Sequence, residues 1–99
     1  MAAELVIAPD AAQDLDEAYG WYESHRVGLG EEFLSCVDAC VQEICRFPEM
    51  FVKIHKGCRR SLVRRFPYAV FYEHLDGTIQ VYCVFHTSRS PEKWRLRLP

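Results

Sequence analysis

The stretch FPYAVFYEHLDGTIQVYCVFH, Phe66 to His86, decides how this chain folds. Its side chains alternate with period two, so Tyr68, Val70 and Tyr72 leave one side of a strand, and Ala69 and Phe71 the other. Asp76-Gly77 supplies two residues that tolerate the positive φ of a tight hairpin turn. The spacing therefore predicts two paired strands, Tyr68 to His74 and Ile79 to His86. Ile79 to Phe85 is apolar at nearly every position, which suits a central strand with neighbours on both sides. Pro67 has no N–H to donate and belongs at the start of its strand or at an edge.

Upstream of the hairpin, Arg59 to Phe66 reads as a further strand and Phe51 to His55 as a candidate short extra one. Before these the period changes. Leu15, Ala18, Tyr19 and Tyr22 recur at three- and four-residue steps, giving a helix whose N-terminus Asp10 can cap. Val27-Gly28-Leu29-Gly30 breaks it. A second helix runs from Glu31 to Phe47, with Phe33, Val37, Val41 and Ile44 as its buried stripe, and Pro48 ends it. Glu4 to Ala8 reads as a first strand that adds beside the last. The order β-α-α-β-β-β, helices first and strands after, predicts an α+β domain over residues 1–99. A helical hairpin should cover one face of a mostly antiparallel sheet.

The 99 residues carry 49% hydrophobic side chains, which makes a globular chain and excludes a disordered one. No N-terminal basic-then-apolar leader and no run of roughly 20 apolar residues is visible, so a cytoplasmic protein without membrane contact is expected. The five cysteines, Cys36, Cys40, Cys45, Cys58 and Cys83, form no C-x-x-C pair. They read as buried thiols in a reducing compartment; neither a disulfide framework, a metal nor a cofactor is expected.

Charge is split along the chain. Residues 1–50 hold eleven acids against Arg26 and Arg46, a net of −9, whereas residues 51–99 hold ten Lys and Arg against three acids, a net of +7. Such asymmetry suits either a basic face for an anionic partner or attraction between the two halves.

Three features could carry function. Arg59, Arg60, Arg64 and Arg65 offer guanidinium forks that recognise carboxylates and phosphates, or they protect an edge strand from aggregation. With one sheet face covered by helices, the other is expected to expose aromatic side chains as an interaction surface. Its expected partner contacts are Tyr68, Tyr72 and Tyr82, flanked by Arg59, Arg65 and Trp94. Finally, His86 and Arg89 follow the last strand at a spacing that could serve proton transfer and charge stabilisation on a phosphodiester. The same spacing also suits a histidine bonded to backbone and an arginine paired with an acid.

The run LVRRFPYAVFYEHLDGTIQVYCVFHTSRSPEKW, Leu62 to Trp94, resembles the C-terminal sheet segment of RelE/ParE-type toxins. DLDEAYGWYE, GLGEEFL and FPEMF resemble that superfamily's helical hairpin and its exit. The resemblance implies the toxin of a type II toxin–antitoxin pair, bound by an antitoxin whose C-terminal segment wraps it. RelE-like members are ribosome-dependent mRNA endoribonucleases; the matching positions here would be Arg60, Tyr68, His86 and Arg89, with Trp94 near the tail aromatic. However, Ala69, Leu62 and Ser88 stand where basic residues are expected in such nucleases. ParE-like members poison DNA gyrase and need no nuclease centre, and this chain is closer to them. A degenerate copy that keeps only antitoxin binding is the third reading.

Overall fold

The computed structural model describes residues 4–99. Strand β1 (Glu4–Ile7) leads into helices α1 (Pro9–His25) and α2 (Leu29–Arg46), followed by β2 (Val52–His55), β3 (Cys58–Leu62), β4 (Tyr68–Leu75) and β5 (Thr78–His86). A short helix α3 (Pro91–Arg95) closes the chain. The sheet order is β1-β5-β4-β3-β2, with β1 parallel to β5 and every other pair antiparallel. The α+β architecture, the helical hairpin and the placement of β1 beside β5 are as expected, and Phe51–His55 does contain an extra strand.

Local chemistry explains the element ends. Pro9 opens α1 because its fixed φ suits a first helical turn and its missing N–H is not needed there. Ala8, not Asp10, holds the cap position; Asp10 sits in the first turn, where its charge meets the helix dipole. Between the helices Gly28 adopts φ 90°, a left-handed conformation that glycine adopts freely. Glu23 then accepts hydrogen bonds from the backbone N–H groups of Gly28 and Gly30, both at 2.9 Å, and so ties the end of α1 to the start of α2. Asp76 and Gly77 have φ 51° and 76°, as the hairpin turn requires.

The strand expected over Arg59 to Phe66 stops at Leu62. Val63 and Phe66 are buried in the core under the helices, and reaching it bends the chain through Arg64 and Arg65. Arg65 itself has φ 70°. Arg64 and Arg65 fall within the strand expected over Arg59 to Phe66, and this is corrected: only Arg59 and Arg60 belong to it.

The larger correction concerns the sheet faces. The face bearing Tyr68, Val70 and Tyr72 is the one beneath the helices, where Tyr22, Phe33, Val37, Val41 and Ile44 pack on it. Tyr72 is fully buried and its hydroxyl donates to the Pro48 carbonyl at 2.7 Å, pinning the loop after α2. Burial raises the phenol to about 12. Tyr72 is thus a core residue, closed to any partner in this fold.

The reverse face is not bare either. Trp94 of α3 stacks on Phe71, with ring centroids 5.2 Å apart, and Leu98 is buried beside Cys83, Phe85 and Ala69. Trp94 pins the tail to its own sheet and is corrected from partner contact to internal packing. A bulge in β5 at Tyr82 interrupts the register between Phe71–Cys83 and Tyr72–Val81. Alternation before and after it differs, so Ile79, Val81 and Val84 join the helix-side core, and Tyr82, Cys83 and Phe85 the reverse one.

Candidate functional site

Strand β1 is shorter than β5, and this mismatch opens a cleft. The last bond between them runs from the Ala8 N–H to the Val81 carbonyl. Beyond it β5 has no strand on that side, its other side staying paired with β4, and α1 crosses the exposed edge. The Val84 N–H is satisfied by the Asp14 carboxylate at 3.0 Å, and Arg97 of the tail donates to the same oxygen at 2.7 Å. Burial raises the Asp14 carboxyl above the ordinary range, opposed by those two donors.

Around this edge lies a cleft of about 490 Å³. Asp14, Glu17, Trp21 and Tyr22 of α1 form one wall; Pro67, Tyr68, Val84, His86 and Arg89 form the other. The His86 ring meets Tyr68 edge-on at 5.3 Å. The Ser88 backbone N–H donates to His86 Nδ1 at 3.1 Å. A backbone N–H can only donate, so Nδ1 is an acceptor and the neutral ring carries its proton on Nε2. The Tyr68 phenol is raised by burial, opposed by the nearby Arg89. The Arg89 guanidinium lies 4.7 Å from the Phe85 ring centroid. Among the described residues it has no ion-pair partner.

Tyr68, His86 and Arg89 therefore come together, as a catalytic set would require. Arg60 does not join them. Its register partner on β4 is Phe71, so it leaves the sheet on the reverse face, away from Tyr68. Of the expected partner contacts, Arg59 is committed internally, donating to the Glu49 and Phe51 carbonyls at 3.0 and 2.7 Å. Arg65 is exposed and bridges to Glu32 at 3.0 Å. Tyr82 is half-buried, its hydroxyl donating to Glu73 at 2.8 Å. Sequence reasoning missed Asp14, Glu17 and Trp21. Trp21 was detectable: it lies outside the apolar stripe of α1 and is 57% exposed.

A second opening runs between α2 and β3, about 610 Å³ in volume. Cys36, Ala39 and Cys40 line its helix side, Ser61 and Leu62 its strand side, with Met50 and Phe51 at one end and Arg64 and Arg65 on the rim. Met50 and Leu62 are each 60% exposed, so the groove is bordered by apolar side chains in water. Among the described residues no helix is long and apolar enough to cross a membrane, and no cluster of His, Cys, Asp and Glu could hold a metal.

A helical hairpin packed on a five-stranded, mostly antiparallel sheet is the fold of RelE/ParE-type toxins. The family model for the ParE toxin of the type II toxin–antitoxin system parDE matches residues 5–91, and the chain belongs to that family. Its fold is similar to that in the chromosomal ParDE system from P. aeruginosa, at TM-score 0.74 and 18% identity over 86% of this chain and 96% of that one. It is also similar to the RelBE2 toxin–antitoxin complex from Mycobacterium tuberculosis, at TM-score 0.63 and 18% identity over 87% and 99% of the two chains. The intact E. coli RelBE complex matches at TM-score 0.63 and 15% identity, over 89% and 100%. Among curated proteins, none matches by sequence.

Proposed function

We propose that this toxin acts by binding DNA gyrase, without chemistry of its own, and that a cognate antitoxin neutralises it by laying an amphipathic segment in the groove between α2 and β3. The observation that carries the antitoxin half is the groove itself. Its border of exposed Met50 and Leu62 would bury apolar area on docking, and Arg64 and Arg65 suit acidic side chains of the bound segment. Several structural relatives are toxin–antitoxin complexes, which agrees with such a partner.

The gyrase half is supported by family membership and by the scattered basic residues. Arg60 sits on the opposite sheet face from Tyr68, while Leu62, Ala69 and Ser88 stand where RelE-like nucleases are basic. The ribosome-dependent nuclease reading rests on the Tyr68, His86 and Arg89 cluster. Purified protein tested for inhibition of gyrase supercoiling and for mRNA cleavage on ribosomes separates the two. Supercoiling should stop at stoichiometric toxin, equally for wild type and His86→Ala, with mRNA intact. Cleavage of mRNA that His86→Ala abolishes would overturn the reading. Inactivity in both assays, with no growth arrest on expression, would identify a degenerate toxin.

A further inference from the structure

The loop from Phe47 to Phe51, between α2 and β2, carries the exposed Met50 at one end of the groove. A methionine left mostly in water gains little from folding, and exposed loops are ordinarily mobile. This one is tied down from below. Arg59 of β3 donates from a single Nη1 to the Glu49 and Phe51 carbonyls, at 3.0 and 2.7 Å, the residues on either side of Met50. Tyr72 of β4 donates to the Pro48 carbonyl at 2.7 Å, and its ring meets Phe51 edge-on at 6.5 Å. The Met50 N–H closes the turn on the Phe47 carbonyl at 3.1 Å.

Two side chains of the sheet thus hold three carbonyls of a five-residue loop. Glu49 and Met50 are exposed, so water would satisfy carbonyls there without help. What the two side chains add is direction: with the backbone fixed on both sides, Met50 is held out at the end of the groove. A loop ordered beforehand spares the entropy that a mobile one loses on binding. The thioether is polarisable and adapts to many apolar shapes. The helix wall near it is built of small side chains, Cys36, Ala39 and Cys40, which leave room for a large apolar one.

We infer that Met50 is the anchor contact for the antitoxin segment, receiving one of its large apolar side chains, and that Arg59 and Tyr72 are positioning residues that hold Met50 ready. The inference rests on the groove between α2 and β3 being the antitoxin site. Neither Arg59 nor Tyr72 touches the segment; both act through the loop.

Calorimetric titration of the full chain with the small protein encoded by the reading frame adjoining its gene tests this. Met50→Ala should weaken binding at least about ten-fold. Arg59→Met and Tyr72→Phe should each weaken it about five-fold. Added to Met50→Ala, either should cost less than about a further two-fold, because a clamp with nothing to present has no effect left. Tyr72→Phe keeps the buried ring, so it decides the matter should Arg59→Met fold poorly. Fully additive losses mark a merely structural role and overturn the proposal, as does wild-type affinity in Tyr72→Phe. Arg64→Glu, on the groove rim, tests the groove itself and should also weaken binding. Weakening by Arg64→Glu with Met50→Ala at wild-type affinity overturns the proposal alone. Wild-type affinity in both, or no binding at all, overturns the groove reading with it.

Discussion

Replacing Asp14 by Ala tests how the open edge of β5 is held. The carboxylate is 11% exposed and accepts from the Val84 N–H at 3.0 Å and from Arg97 at 2.7 Å. Removing it leaves the Val84 N–H unpaired beneath α1, which costs about 1–3 kcal/mol. Arg97 is a quarter exposed, so water rehydrates its guanidinium and the lost ion pair adds little. Relief of the buried charge, visible in the raised Asp14 carboxyl, offsets part of the loss. The net expectation is destabilisation by about 2 kcal/mol, or roughly 8–16 °C in Tm for a domain of this size. Asp14→Asn keeps an acceptor for Val84 and should lose less than about 1 kcal/mol. Urea unfolding followed by circular dichroism measures both. If Asp14→Ala lies within about 0.5 kcal/mol of wild type, the edge does not depend on this side chain, and the reasoning fails.

Trp94→Ala should release the tail from Phe71 while the helix-side core stays folded, so trypsin will cut after Lys93 and Arg95 faster than in wild type; an unchanged digestion rate contradicts the packing. Tyr72 titrates at about 12 in the fold against an ordinary 10. The fold thus keeps a phenol protonated that the unfolded chain ionises, and this contribution is full below pH 10 and lost as pH rises towards 12. Stability should therefore fall less steeply between pH 10 and 12 in Tyr72→Phe than in wild type, as followed by alkaline unfolding curves. Glu23→Ala frees the N–H groups of Gly28 and Gly30 and should cost about 1–2 kcal/mol in the same urea assay.

Much of this fold is legible in the sequence because its signals are local. Period-two apolarity around Asp76-Gly77 gives β4 and β5, and the glycines after Val27 break the two helices. The choice of face is not local. Tyr68, Val70 and Tyr72 on one side and Ala69 and Phe71 on the other are all apolar enough to be buried, and both sides are in fact covered. What settles the matter is the tail, whose helix of five residues is too short for any periodicity to announce it. The bulge at Tyr82 is equally silent, since an apolar run with one extra residue still reads as an apolar run.

The candidate site was half legible. Tyr68, His86 and Arg89 stood out as polar or aromatic residues around a strand exit, and the structure gathers them. Arg60 stood out in the same way, yet sheet parity sends it elsewhere. Charge pattern alone left two readings open, and both have a physical basis. Arg65–Glu32 and Arg97–Asp14 tie the basic half to the acidic half, while among the described residues Arg60, Arg64 and Arg89 remain without ion-pair partners.

The groove between α2 and β3 is best tested by hydrogen exchange of the toxin alone and with its antitoxin. The account predicts new protection over residues 36–40 and 61–65, with residues 80–86 little changed. Protection confined to the β5 cleft and the tail, with the groove still exchanging as in free toxin, would contradict it.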